Sequence, residues 1–245
     1  MINISLLEVS GIKGAIHGMR LPFKAEDKSD SFERIFLDEC DNFEKQVYHI
    51  GPKDLELCQK LIRSDGDDHS KFMRMIHVQA DVRAPLYWWK EFDTYKVATV
   101  ANSESTMHTI MKRDFIVDDF SFDIPAGLLE ESSFDRVEIA GYLEDTLNRL
   151  NGLRGVYLRY KDSNSKSAAL AWRILIQILP ESYMQKRTID LNYQTLRRIY
   201  FARKGHKLIE WHKFCDWIET LPYAEELITY DPCNVQKVGG SDASN

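Results

Sequence analysis

The segment MIHVQADV, residues 75–82, alternates apolar and polar side chains with a period of two. This period fits an extended strand with one buried face, and that face carries Ile76, Val78, Ala80 and Val82. Pro85 has no backbone N–H to donate, so the strand is predicted to end there. The next segment, LYWWKEFDTY, resumes at helical spacing. The chain is therefore predicted to pass from a half-buried strand directly into a helix.

Helical periodicity dominates the rest of the chain. A helix is predicted over residues 135–150, where apolar residues recur at i, i+4, i+8 and i+11: Ile139, Leu143, Leu147 and Leu150. The segment KSAALAWRILIQIL is apolar almost all round, which predicts a central helix that Pro180 stops. Two more helices are predicted at about 192–203 and 207–220, separated by Gly205. With a few strands clustered in the first third, this pattern predicts an α+β fold.

Chain organisation and composition narrow the class of protein. The sequence contains no internal repeat and no Pro/Gly-rich linker, which predicts a single domain over 1–235 and a flexible tail over 236–245. Its 44% hydrophobic and 29% charged residues are ordinary globular values. A net charge of −6 argues against broad, non-specific nucleic-acid binding, although a few local cations suffice for a small phosphorylated ligand.

Several kinds of site have no support in the sequence. The four cysteines, Cys40, Cys58, Cys215 and Cys233, form no C-x-x-C pair, so neither zinc nor a redox dithiol is expected. His69 and His77 are eight residues apart with no third ligand at a recognisable spacing, and no metal site is predicted. No signal peptide and no run of eighteen apolar residues occurs, so we expect a cytoplasmic protein without a membrane partner.

A basic cluster, RRIYFARKGHK at 197–207, is open to two interpretations. Cations at a helix C-terminus stabilise the helix dipole, and this is a purely structural role. Arginine is also suited to phosphate, because its planar guanidinium binds two oxygens at once. A second polar region, WWKEFDTYKVATVANSESTMH at 88–108, gathers many hydrogen-bonding groups behind two tryptophans and predicts a pocket for a polar ligand.

Five segments follow one another along the chain: GMRLPF, HSKFMR, VRAPLYWWKEF, ILPESYMQK and LNYQTLRRIYFAR. In this order they resemble motifs of the flavin-dependent thymidylate synthases. Their counterparts in that family are A-R-x-S-F, H-E-x-P-F-E-H, V-x-A-P with its following helix, I-L-P-x-x-x-x-T-R and V-N-x-R-S-L-x-N-F-x-x-x-R. The interval of eleven residues from Asn192 to Arg203 equals that of the last motif. The resemblance spans roughly residues 10 to 220 and implies helices packed on a mostly antiparallel sheet.

The resemblance also implies which residues bind ligands. The implied cofactor-binding positions are His69, Tyr95, Lys96, Asn192 and Arg198. The implied substrate-binding positions are Glu91, Glu104, Ser105, Lys186 and Arg203. No catalytic side chain is assigned, because in this family the flavin carries the chemistry.

The chain departs from the family at several positions where the family carries cationic side chains. Thr94, Tyr95 and Lys96 stand where the family has R-H-R, and Met107 replaces a substrate-binding Arg. Gln194 replaces a flavin-contacting Arg, Glu91 replaces a Gln, and Lys186 replaces an Arg. A charge-assisted hydrogen bond from Arg contributes about 1.5–3 kcal/mol, so these changes predict weaker binding of flavin and nucleotide.

Two functions from different classes follow from the resemblance. The first is an enzyme that transfers a one-carbon unit to C5 of dUMP, or a hydroxymethyltransferase acting on the same or a related pyrimidine nucleotide. It would use FAD, with NADPH and methylenetetrahydrofolate if the family chemistry is kept. The second is a homo-oligomeric nucleotide-binding protein that has lost flavin chemistry. Either protein would form a homo-oligomer, and a tetramer is expected. It would lie in the cytoplasm, or in the host cytoplasm if the gene is viral.

A third alternative is a partner-binding protein. In EWHKFCDWIETLPY, an apolar stripe recurs at helical spacing: Trp211, Phe214, Trp217, Ile218 and Leu221. Such a stripe is typical of a core or a subunit interface, and less often of a docking face.

Overall fold

A computed structural model of the chain describes residues 1–37, 44–64, 68–122 and 136–232, so the predicted tail at 236–245 lies outside the described residues. The strands are β1 (Asn3–Ser10), β2 (Phe32–Leu37), β3 (Glu44–His49), β4 (His77–Pro85), β5 (Thr99–Ser103) and β6 (Met184–Asn192). Four of them form a sheet in the order β1-β4-β6-β5. The other two form an antiparallel hairpin in which Phe32 lies opposite His49.

Eight α-helices lie in the described ranges. They are α1 (Ile12–Arg20), α2 (Pro52–Arg63), α3 (Leu86–Phe92), α4 (Thr106–Thr109), α5 (Arg136–Tyr160), α6 (Ser165–Ile178), α7 (Tyr193–Arg203) and α8 (Ile209–Glu219). Short 3₁₀ turns include Lys71–Met75 before β4 and Val117–Asp119 after α4, and a π-helical turn follows α8 at Ala224–Ile228. The predicted α+β fold, with helices and a mostly antiparallel sheet, is confirmed.

The alternating strand and its proline stop are also confirmed. Val78, Ala80 and Val82 are fully buried along β4, whereas His77 and Gln79 on the opposite face are exposed. The strand ends at Pro85, and α3 begins at the next residue. Four of the six described strands begin in the first third of the chain, as predicted, but β5 and β6 lie later. The first half of β6, MQKRT, carries polar side chains that hide its alternation.

Two compact units divide the chain. The first contains Met1–Ile4, Asp81–Tyr95 and Ala101–Thr188, and the second contains Ser5–Ala80, Lys96–Val100 and the chain from Ile189 onward. In the first unit, a core cluster joins the turns after α4 to α5, α6 and the residue before β6. Its buried members are Ile110, Phe115, Phe120, Leu150, Leu175 and Tyr183.

Helix α6 is buried on one face only, so the prediction of a central helix holds for half of its circumference. Ala168, Ala171 and Leu175 are buried. Leu170, Ile174 and Ile178 remain 59%, 36% and 47% exposed. These three recur every four residues and form a continuous apolar stripe on one face of the helix.

In the second unit, Gly11 permits a close approach between two distant segments. Its φ of 84° lies in the left-handed region, and a Cβ there would stand 2.0 Å from the Met75 carbonyl oxygen. Since such a contact is impossible, only glycine fits before α1 at this point.

A buried ion pair joins α1 to α2 in the same unit. Arg20 Nε donates to Asp54 Oδ1 at 2.5 Å, and the hydroxyls of Ser29 and Ser31 donate to Asp54 Oδ2 at 2.6 and 2.5 Å. Burial raises the pKa of the Asp54 carboxyl, but hydrogen bonds from both serines and from Arg20 outweigh burial and hold it below the usual value. The carboxylate is therefore ionised and fully bonded inside the protein.

We expect Asp54→Ala to destabilise the protein by about 3–5 kcal/mol at neutral pH, because it leaves the Arg20 charge buried without its partner. Since the folded pKa is lowered, the contribution of Asp54 is fully present above its unfolded pKa of about 3.9 and is lost as the pH falls through the folded value. Urea unfolding at pH 7 and in acid measures both effects. Asp27→Ala, at an exposed carboxylate of the same unit, is the control. Equal unfolding midpoints for the two variants at pH 7 would contradict this role.

Candidate functional site

An aromatic anchor fixes α3 within the first unit. Trp88, Trp89 and Phe92 are almost completely buried, and their rings contact one another at centroid distances of 4.9–5.3 Å. The Trp89 indole N–H donates to the Gln185 carbonyl oxygen at 2.9 Å, which ties the helix to the start of β6. The two tryptophans that open the polar stretch at 88–108 are therefore core residues that position a strand.

Arg187 strengthens the same anchor. Its guanidinium lies 4.2 Å from the Trp89 ring centroid, and its Nη1 lies 2.8 Å from Asp93 Oδ1. An arginine that stacks on an indole ring and also forms an ion pair with a carboxylate is held in one orientation. This cation is a structural element of the anchor, and no sequence pattern indicated it.

Two of the predicted substrate-binding residues are brought together next to this anchor. The Glu104 backbone N–H donates to the Lys186 carbonyl, and the Lys186 N–H donates to Glu104 Oε1, each at 3.0 Å. Ser105 follows at the start of α4, where its carbonyl accepts from His108 and Thr109 while the residue itself is exposed. The strand edge therefore presents Glu104, Ser105 and Lys186 as neighbours.

Lys186 is already paired with a carboxylate that sequence reasoning missed. Its Nζ lies 2.6 Å from Asp81 Oδ2, and the Thr188 hydroxyl donates to Asp81 Oδ1 at 2.6 Å. The hydrogen bond from Lys186 lowers the pKa of Asp81, with Thr188 acting in the same direction. The alternation along β4 could have indicated Asp81, because it places this residue on the polar face of the strand. Its partner Lys186 could not be assigned, because β6 was not recognised as the neighbouring strand.

The remaining predicted residues of the first unit lie in and after α3. Glu91 and Tyr95 are half-buried, and Thr94 Oγ1 donates to the Glu91 carbonyl at 2.7 Å. The backbone N–H of Tyr95 donates to the carbonyl of Phe92, so Thr94 and Tyr95 form a turn that continues the helix. Met107, which replaces the family's arginine, is 54% exposed.

In the second unit, the turn that contains His69 is tied to the start of α7. His69 is exposed, and the next residue, Ser70, accepts a hydrogen bond from Gln194 Nε2 at 3.3 Å. Gln194 Oε1 in turn accepts from Arg74 Nε. Gln194 is buried with both ends of its amide engaged, so it holds the turn of His69 in place.

Asn192 caps α7 and keeps one donor free. Its Oδ1 accepts from the Thr195 N–H at 2.9 Å, which satisfies a helix N-terminal donor. The residue is only 3% exposed, yet its Nδ2 donates to no residue in the described part of the chain. Because this nitrogen has no acceptor in the described part of the chain, it is a candidate donor to a ligand.

A cavity of about 320 Å³ lies beside the first turns of α7. Its lining includes Ser70, Gln194, Arg197, Arg198 and Phe201. Arg197 donates to the carbonyls of Ile228 and Tyr230, so its charge is used inside the protein, and burial lowers its pKa. Arg198 was predicted from the sequence and is exposed, whereas Arg197 and Ser70 were missed.

The predicted phosphate-binding residue Arg203 lies at the end of α7. Its guanidinium stacks on the Trp211 ring at 4.7 Å from the centroid. Stacking of this kind orients the planar guanidinium. Lys96, the remaining predicted cofactor residue, is exposed and belongs to the same unit.

Neither a metal centre nor a membrane span is found within the described ranges. No group of three or more His, Cys, Asp or Glu residues there has a geometry able to hold a metal ion. No helix there is both long enough and apolar enough to cross a bilayer.

Comparison with known proteins identifies the class of fold. No protein-family model and no curated protein matches the sequence. The structure is similar to thymidylate synthase X (ThyX) of Helicobacter pylori in complex with FAD and dUMP, with a TM-score of 0.59 and 16% identity over 93% of this chain and 97% of that one. A second structure of the H. pylori flavin-dependent enzyme with FAD and dUMP gives the same score and identity, over 92% and 97%.

A methylase shares the fold as well. The UMP/dUMP methylase PolB of Streptomyces cacaoi, bound with 5-Br dUMP, matches with a TM-score of 0.56 and 16% identity over 94% of this chain and 95% of that one. The chain thus has the fold of the flavin-dependent thymidylate synthases, and the resemblance seen in its sequence motifs is confirmed at the level of the fold.

Proposed function

We propose that this protein binds FAD and a pyrimidine deoxynucleotide and transfers a one-carbon unit to C5 of dUMP. The observation that carries the proposal is the buried Asn192, whose free amide nitrogen lies at the start of the helix to which the turn of His69 is tied. Both residues match flavin-contacting positions of a family whose fold the chain shares over nearly its whole length.

The chain's own residues would bind and orient the ligands. In the second unit, Asn192 would donate to the flavin, and Lys96 and Arg198 would face its phosphates. In the first unit, Tyr95 would stack on a ligand ring. Arg203 in the second unit would bind a nucleotide phosphate. In the first unit, the substrate contacts would be Lys186, Glu91, Glu104 and Ser105. When bound, the reduced flavin would supply the hydride, with NADPH as its reductant and methylenetetrahydrofolate as the carbon donor. We infer a cytoplasmic location, in a host cell if the gene is viral.

One observation favours a second function, that of a nucleotide-binding protein without flavin chemistry. Lys186 is already paired with Asp81, and two of the three cations of the family's R-H-R are absent at Thr94 and Tyr95. Retention of flavin separates the two functions, because only the enzyme needs it.

Asn192→Asp tests the flavin site without removing the helix cap, since Asp caps as well as Asn but has no N–H to donate. We expect FAD affinity to fall at least about 3-fold, because one hydrogen bond is lost and a negative charge is added. Thermal stability should stay close to that of the wild type. Binding is followed by flavin fluorescence, and affinity should also fall with added salt because Lys96 and Arg198 are exposed.

The matched control is Asn164→Asp, the same change at the cap of α6, where Asn164 accepts from the Ser167 N–H at 3.1 Å. Equal FAD affinity for the two variants would contradict the role of Asn192. A wild-type protein that is colourless and ignores added FAD would support the nucleotide-binding alternative.

Arg203→Ala tests the nucleotide site. A charged hydrogen bond to phosphate contributes about 1.5–3 kcal/mol, so dUMP binding should weaken by about 10- to 150-fold in calorimetry. Lys186→Ala should weaken dUMP binding less than Arg203→Ala does, because an ammonium group cannot bind two phosphate oxygens in a bidentate geometry. Asp81→Asn should strengthen binding, because it removes the carboxylate that competes for Lys186.

Lys53→Ala, at an exposed cation outside both sites, should leave the dUMP affinity unchanged. Unchanged dUMP affinity in Arg203→Ala would contradict the role of Arg203. No heat from wild type with any pyrimidine monophosphate would show that the nucleotide site is absent.

We further propose a homo-oligomer, most simply a tetramer, whose interface includes the stripe of Leu170, Ile174 and Ile178 on α6. Exposed apolar residues in one continuous line are typical of surfaces that bind another chain. Leu170→Asp should shift the mass measured by light scattering towards smaller species. Ala169→Asp, at an exposed position off the stripe, should not. A monomeric wild-type protein at micromolar concentration would overturn the proposal.

A further inference from the structure

Arg74 is an exposed cation whose side chain is held by a buried amide. The residue lies in the turn Lys71–Met75, which contacts α7 in the second unit. Its Nε donates to Oε1 of Gln194, and Gln194 is only 5% exposed. The nitrogen of the same amide donates to the Ser70 hydroxyl at 3.3 Å, so both ends of the amide are fixed. The guanidinium of Arg74 is therefore held at one of its three nitrogens.

This hydrogen bond orients Arg74 without neutralising its charge. An amide oxygen accepts a hydrogen bond but carries no net charge. Neither Nη1 nor Nη2 of Arg74 forms a hydrogen bond or an ion pair with any residue that the structure describes. By contrast, the charge of Lys186 is matched by the carboxylate of Asp81. Arg74 thus keeps both its charge and a pair of donor nitrogens for a ligand.

The position of Arg74 also favours an anion. The Tyr193 N–H donates to the Ile76 carbonyl at 3.0 Å, which ties the residue after the turn to the first residue of α7. The positive end of a helix dipole attracts anions, and α7 has 11 residues. Asn192, the cap of this helix, is 3% exposed, and its Nδ2 has no acceptor in the described part of the chain. Arg74 and Asn192 thus supply donors at the same end of α7.

The positive charge at this end of α7 sits on a residue that no motif indicated. Gln194 stands where the last family motif has a flavin-contacting arginine. Its amide holds the guanidinium of Arg74 instead. One cation is therefore retained beside the first turn of α7, although it now comes from the turn before β4.

We propose that Arg74 binds a phosphate group of FAD through Nη1 and Nη2. Phosphate oxygens match the two parallel N–H directions at the edge of a guanidinium. The flavin is the ligand chosen because His69, just before the turn, and Asn192 match flavin-contacting positions. This inference rests on the proposed flavin function and adds to it the residue that replaces a lost cation.

Arg74→Gln removes the charge and tests this role. We expect FAD affinity, followed by flavin fluorescence, to fall about 10-fold, because charge-assisted hydrogen bonds to phosphate are lost. The decrease of FAD affinity with added salt should also become shallower, because one attractive charge fewer is screened. A role in positioning the turn alone would lower the affinity but leave its salt dependence unchanged, and that result would overturn the inference.

A conservative variant and a matched control accompany this test. Arg74→Lys keeps the charge but loses the planar fork. Its FAD affinity should lie between those of wild type and Arg74→Gln, and its salt dependence should equal that of wild type. Arg149→Gln, the same change at an exposed arginine of α5, should alter neither quantity. Equal FAD affinity for Arg74→Gln and Arg149→Gln would overturn the role of Arg74.

Titration with dUMP separates the flavin phosphate from the nucleotide phosphate. In calorimetry, Arg74→Gln should bind dUMP as tightly as wild type does. Weaker dUMP binding with unchanged FAD affinity would assign Arg74 to the nucleotide and overturn the inference. A wild-type protein that binds no FAD would overturn the proposed flavin function itself. Binding of FAD by wild type with no effect of Arg74→Gln would overturn only the inference about Arg74.

Discussion

The hydrogen bond from the Trp89 indole to the Gln185 carbonyl is the constraint on which the candidate substrate site depends. This bond fixes Gln185, the residue directly before Lys186. Arg187, the residue directly after Lys186, stacks on the same indole. Because both neighbours of Lys186 are held by one buried ring, the strand cannot shift its register. Glu104 then pairs with Lys186 in a fixed position. A hydrophobic anchor thus positions a polar site.

Three cations near the candidate positions already have partners within the protein. Lys186 is paired with Asp81, Arg187 with Asp93, and Arg197 with two backbone carbonyls. Arg203 is oriented by its stacking on the Trp211 ring. The replacement of family arginines by Gln194 and Met107 points in the same direction.

The sequence predicted those parts of the fold that follow from local patterns. The β4 alternation, the stop at Pro85 and the helices near 192–203 and 207–220 agree with the structure, because short-range periodicity and proline chemistry determine them. Strand β6 was missed because its first half, MQKRT, is mostly polar and shows no clear alternation of apolar and polar residues. At the candidate site, motif order indicated Glu104 and Lys186. The pairing of Lys186 with Asp81 depends on which strands become neighbours, and a single sequence does not contain that information.

The discontinuity of the second unit has a consequence during protein synthesis. Its first segment, Ser5–Ala80, leaves the ribosome early, but α7 belongs to its last segment, which begins at Ile189. Helix α7 contacts both the turn Lys71–Met75 and the turn Ala224–Ile228, so these contacts wait until the intervening first unit has been made. Until Ile189 and the residues after it have been made, the first segment lacks the helix that covers it. Apolar surface exposed in this way makes incompletely folded chains prone to aggregation.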